Sequence, residues 1–244
     1  IALGGFLVWG HHMFTSGMSP MANTIFSLMT FFVAVPTAVK VFNWTATLYR
    51  GSITFEAPML YALTFIFLFI VGGLTGPFLG ALATNVQLHD TYFVVAHFHY
   101  TMMGGTVMGF FAGLHYWFPK MTGKMLNEKV ARVAWALIFV GFNVTFFTMF
   151  IVGVRGMPRR YAEYLPKFQV ENVISTIGSA VLALGILVMC WNFLQGLRKG
   201  APAPANPWRA LSLEWQAASP PETENFHEVP HVTEWPFGYG TPKA

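Results

Sequence analysis

Two histidines, His97 and His99, stand in "VVAHFHYTMM", residues 94–103, inside one of the most apolar stretches of the chain. Two readings are open: core histidines satisfied by neighbouring carbonyls, or ligands of a metal or haem. Successive helical residues are turned by about 100°, so residues two apart point about 200° apart. The pair therefore cannot hold one ion from a regular helix, but each member can serve a separate centre on its own flank, with Phe98 between them.

A second pair, His11 and His12 in "GHHMFTSGM", is adjacent. Adjacent helical residues diverge, so convergence on one ion needs a helix end, which the following Ser and Gly supply. Imidazole suits copper, zinc or iron, and two ligands require a third from elsewhere. "VPTAVKVFNW" places Thr37 and Lys40 one turn apart on a common face. Lys40 either snorkels to the interface or belongs to a proton or ion path, which Pro36 assists by freeing a backbone carbonyl. In "QLHDTYF", Asp90 either caps the next helix or joins His89 in binding a hard cation or a haem carboxylate. "GMPRRY" offers the adjacent guanidiniums Arg159 and Arg160, whose forked donors match carboxylates.

These side chains need a scaffold, and composition says which kind. The chain is 55% hydrophobic and 10% charged, with 25 Phe, 13 Met and 23 Gly among 244 residues. Soluble domains carry about 25% charged residues, so a membrane protein is expected. Continuous apolar runs indicate helices rather than alternating barrel strands. Five stretches exceed the roughly 20 residues a span needs: 20–48, 57–78, 92–119, 129–154 and 170–196. The opening "IALGGFLVWG" is too short to cross and lacks signal-peptide features. It reads as the end of a helix that starts before Ile1, so the expected fold is an all-α polytopic bundle of one partial and five full spans.

If the spans alternate, Arg50, Lys120, Lys124, Lys129, Arg132, Arg198 and Lys199 fall on one side, the cytoplasmic or matrix side. The loop "VRGMPRRYAEYLPK" puts Arg155, Arg159, Arg160 and Lys167 on the other. That violation calls for a local anionic partner. Cys190, the single cysteine, has no intrachain partner. No basic cluster with interleaved aromatics suggests nucleic acid. From residue 201 the chain turns polar and Pro-rich, and 201–244 is expected to be an extended cytoplasmic-side tail lying on partner surfaces.

Taken together, "HHMFTSGM", "VPTAVKVFNWTATL", "LHDTYFVVAHFHY" and "GMPRRY", followed by the tail's "NPW…LEW…SPP…NFHE", resemble the C-terminal half of subunit I of haem–copper terminal oxidases. The likeness is greatest to the A-type cytochrome c oxidases. The motifs occur in order through residues 1–200.

The resemblance implies half of a twelve-helix subunit that reduces oxygen to water with proton translocation. It implies two haems, of a and a3 type, with copper and magnesium. His11 and His12 would be copper ligands, His97 the axial ligand of the high-spin haem and His99 that of the low-spin haem. Thr37 and Lys40 would belong to a proton-uptake path, His89 and Asp90 to a magnesium site, and Arg159 and Arg160 to the haem propionates. Implied partners are subunit II with its copper centre, subunit III, the N-terminal half of subunit I, the lipid bilayer, and cytochrome c or a quinol as donor. The implied location is the bacterial cytoplasmic or mitochondrial inner membrane. Asn85 departs from the pattern, which has an aspartate there. A relay cytochrome would explain His97 and His99 but leave His11, His12 and Lys40 without roles. A transporter would explain neither the two-residue histidine spacing nor the paired arginines.

Overall fold

The computed structural model describes residues 1–226, 228, 230, 231, 235 and 238. Among the described residues, eight α-helices form: α1 (Ala2–Leu7), α2 (Pro20–Leu48), α3 (Ala57–Gly80), α4 (Leu82–Leu88), α5 (Tyr92–Thr101), α6 (Met108–Thr122), α7 (Glu128–Val154) and α8 (Gln169–Lys199). Four of them, α2, α3, α7 and α8, are individually long and apolar enough to cross a membrane. The fifth expected span is one helical path from Tyr92 to Thr122. It runs from α5 through a π-helical turn at Met102–Val107 into α6. No strand forms among the described residues.

Local chemistry sets the ends. Ser19 caps α2 through its hydroxyl and Pro20 follows at the first helical position. Asn127 caps α7 with Glu128 in its first turn, and Gly123 ends α6 in the left-handed region at φ 67°. Thr91, not Asp90, caps α5, accepting from the Phe93 amide. Asp90 is thereby left free for other contacts.

The helices pack in a row: α8 on α7, α7 on α5, α5 and α6 on α3, and α3 on α2. The core lies where α3, α5, α6, α7 and α8 meet, around Tyr61, Leu68, Tyr100, Met108, Ile138 and Phe142. At the end of the row, α2 buries no residue and exposes Phe31, Phe32 and Phe42. Two glycines allow backbones to touch. A Cβ on Gly72 of α3 would lie 2.8 Å from the Thr101 amide nitrogen, and one on Gly153 of α7 would overlap the Phe93 backbone.

One end of the row gathers the start of α3, the start of α7 and the end of α6. There the Glu128 carboxylate accepts from the Ala57 amide at 2.8 Å. The described tail covers this end of its own chain. Trp208 donates to the Tyr116 carbonyl at 2.8 Å, Trp215 is buried, and Lys120 donates to the carbonyls of Ala217 and Ala218. The sequence reading had placed the tail on partner surfaces. The difference arises because Trp208 and Trp215 find apolar cover, and the Trp208 N–H an acceptor, on the adjacent helix end. Much of the tail beyond Phe226 lies outside the described residues.

Candidate functional site

At the opposite end, the segment after α7 docks onto the start of α5. Tyr92 donates its amide to Met157 at 3.0 Å, and Arg159 donates its amide to Asp90 at 2.8 Å. This backbone pairing aims the Arg159 guanidinium at the Asp90 carboxylate, 2.8 Å away. His89 lies 3.5 Å from the other oxygen of the same carboxylate. Arg155 pairs with Glu171. Two of the basic residues that break the charge rule on this side are therefore paired within the chain.

Below this layer lies a cavity of about 740 Å³ between α2, α3 and α5. Its lining includes His11, His12, Thr37, His89, Asp90, His97, Arg159 and Arg160. Residues that the sequence spreads over 150 positions thus share one space, histidines inside and guanidiniums at its outer end. His11 and His12 sit on a short 3-10 turn (Trp9–Met13), which brings their ring centres to 4.3 Å. The tighter turn is the distorted helix end that adjacent ligands need.

The hydrogen bonds fix how three of the rings are protonated. His97 Nδ1 lies 3.0 Å from the Gly72 carbonyl, which can only accept, so Nδ1 carries the proton. The Thr75 hydroxyl is 3.1 Å from the same nitrogen. Thr30 spends its own proton on Phe26 and accepts from His11 Nδ1 at 3.3 Å. His99 Nδ1 donates to Val95 at 2.8 Å, one turn back on its own helix. Each ring therefore keeps its Nε2 lone pair, the arrangement of a metal-ligating histidine anchored through its second nitrogen.

His99 does not line the cavity. Its ring stacks on Phe146 of α7, 4.0 Å between centres and 16° between planes. Phe98 spans the two sides, lining the cavity while its ring sits 4.5 Å from that of His99. The helix thus carries one histidine on each flank, as a two-residue spacing requires. Lys40 also lies outside the cavity. Thr37 lines it, but Lys40, one turn further along α2, is exposed with its ammonium 5.6 Å from the centre of the Trp44 ring.

Among the described residues, no three His, Cys, Asp or Glu side chains converge closely enough to hold a metal ion. The donor set nevertheless suits the groups named above: imidazoles for copper or iron, guanidiniums for carboxylates. Asn85 adds a further fit. It is 5% exposed and lines the cavity, with its Nδ2 donating to Leu79 at 2.7 Å. Its Oδ1 has no partner. A neutral acceptor in that position suits a hydrogen-bond donor within the cavity.

Sequence reasoning missed the anchors Thr30, Gly72 and Thr75, together with Phe146. Only the run "VGGLTGP" on α3 signalled one of them, since its glycines mark a close helix approach. It also passed over His115, which is buried away from the cavity against Tyr61, 4.8 Å between ring centres.

The chain is 47% identical over 236 residues to cytochrome c oxidase subunit 1 of Thermostichus vulcanus, covering 97% of this chain and 43% of that protein. It is 48% identical over 235 residues to the subunit of the same name from Bacillus sp. (strain PS3), covering 95% of this chain and 38% of the relative. The chain thus spans about two fifths of the length of these curated relatives. A solved haem–copper terminal oxidase dimer superposes with a TM-score of 0.72, covering 81% of this chain and 40% of that one. At 24% identity that likeness speaks for the fold alone. Residues 1–181 match the sequence family described as cytochrome c and quinol oxidase polypeptide I. Motifs, helical architecture and relatives agree, and the chain belongs to that family.

Proposed function

We propose that this chain forms the C-terminal half of the catalytic subunit of a proton-translocating cytochrome c oxidase, which reduces oxygen to water. The observation that carries the reading is the division of the histidines. His11, His12 and His97 share one cavity, while His99 leaves the same helix as His97 on the other flank.

When bound, two haems and a copper would pass on the electrons delivered by the donor and offer the oxygen-binding position for the four-electron reduction. His97 holds the high-spin haem and His99 the low-spin haem, each through Nε2, because each Nδ1 is committed to a carbonyl. His11 and His12 hold copper from the facing wall, and its remaining ligand comes from outside the described residues. Arg160 and Arg159 bind the haem propionates at the outer end of the cavity. His89 and Asp90 contribute two ligands to magnesium, with Arg159 orienting the carboxylate. Thr37 and Lys40 bring protons along α2 from the basic end. The type a and a3 haems, the partner subunits II and III, and a bacterial cytoplasmic or mitochondrial inner membrane location belong to the same reading. So does the division into a helical part, 1–200, and a cytoplasmic-side tail, 201–244. A quinol oxidase is the second reading, because the matched family includes both donor classes.

Metal and haem analysis of the complete complex tests this function. Copper beyond that of subunit II, alongside two haems, is the expected result. Full haem content without copper at this site would leave only an electron-relaying cytochrome.

A further inference from the structure

A cleft of about 510 Å³ lies at the basic end of the bundle, between α3 and α6, far from the histidine cavity. Its floor is made of small residues, Ala62, Gly109, Ala112 and Gly113. Aromatic rings wall its end: Tyr116 and Trp117 from α6 and Trp208 from the tail. Pockets of this size with apolar walls and a few placed polar groups are typical of ligand sites.

The aromatic wall is held in place. Trp208 donates to the Tyr116 carbonyl at 2.8 Å and stacks on the Tyr116 ring, 6.1 Å between centres and 17° between planes. Trp117 donates to Glu214 of the tail at 3.3 Å. Glu56 is the charged residue of the cleft lining. It stands at the N-cap of α3, yet its side chain makes no capping bond. The neighbouring Ala57 amide, the first of the helix, is taken by Glu128 instead. Glu128 in turn pairs with Arg132, and Lys120 is tied to tail carbonyls beside Trp215. The half-buried Glu56 carboxylate therefore faces the cleft without a cation from these neighbours.

A carboxylate beside clustered aromatic faces is the chemistry that recognises an ammonium group. At the end of a membrane-spanning bundle, beside a floor of Ala62, Gly109, Ala112 and Gly113 flanked by Met59, the ammonium belongs to a lipid headgroup. We propose that this cleft binds a zwitterionic phospholipid of the phosphatidylethanolamine class. Its ammonium sits against Glu56 and the aromatic wall, and one acyl chain lies on the small-residue floor. An anionic lipid is disfavoured by the same carboxylate. The tail shapes the site through Trp208, so an ordered tail and a bound lipid support one another.

The test uses the complete oxidase, equilibrated in nanodiscs of equal phosphatidylethanolamine and phosphatidylglycerol and then released into a delipidating detergent. Retained lipids are counted by native mass spectrometry. Glu56→Gln is expected to lower the ratio of retained phosphatidylethanolamine to phosphatidylglycerol about fivefold, whereas Glu163→Gln on the opposite side leaves it unchanged. A ratio unaltered by Glu56→Gln overturns the proposal. So does a structure of the complete complex in which a protein segment, rather than lipid, fills the cleft.

Discussion

His97 and His99 leave one helix in opposite directions, His97 bonded to the Gly72 carbonyl of α3 and His99 stacked on Phe146 of α7. The two neighbouring helices, rather than the histidine helix alone, decide where each imidazole points. Each flank therefore makes its own experimental demand.

Changing His99 to Asn removes the Nε2 donor on the α7 flank and leaves the cavity lining intact. In the complete oxidase the low-spin haem spectrum should disappear while the high-spin haem is retained. Optical spectra of the reduced protein decide this, and loss of the high-spin band instead would reverse the assignment.

Lys40 lies one turn beyond Thr37, outside the cavity that Thr37 lines. Replacing it with Met keeps the length and the apolar stem but removes the charge. Stopped-flow reduction should show a fast low-spin haem and a blocked haem–copper centre. Wild-type turnover in the variant would exclude Lys40 from proton delivery.

Asp90 is shared between His89 and Arg159. Because the carboxylate is half exposed, the ion pair is worth about 0–1 kcal/mol, and Asp90→Asn should hardly alter thermal stability. Its larger effect should be on the divalent cation. Manganese substituted for magnesium, followed by electron paramagnetic resonance, should lose its bound signal in the variant.

Gly153 and Gly73 form a matched packing test. Alanine at Gly153 meets the Phe93 backbone, and alanine at Gly73 meets nothing within 4 Å. Gly153→Ala should destabilise the complete oxidase by about 1–3 kcal/mol, measured by detergent denaturation. Gly73→Ala touches no protein atom, but Gly73 lines the histidine cavity, so the variant should spare helix packing and lower haem content instead, read from the haem absorbance.

The spans were legible because a bilayer imposes a length and a composition that a linear sequence displays directly. Boundaries agree to within a few residues, from α2 at 20–48 to α8, expected at 170–196 and found at Gln169–Lys199. The opposed histidines were equally legible, since helical pitch fixes the angle between residues two apart. Capping of α5 by Thr91 rather than Asp90 was not, because both residues have a suitable side chain and only the backbone path separates them. That the tail covers its own helix end was not legible, because lack of periodicity says nothing about where a tryptophan finds cover.

Residue identity and pitch therefore settled the class of scaffold, the long apolar helices and the two-sided histidine helix. They could not bring His11, His97 and Arg159 into one cavity, because no local rule relates positions so far apart. That depended on the glycine-mediated approach of α3 to α5, on the docking of residues 157–159 against 90–92, and on the 3-10 turn that draws His11 and His12 together. Side-chain chemistry is written locally. The distances between reacting groups come from helix packing, a sum of many long-range contacts, each too weak to leave its own mark in the chain.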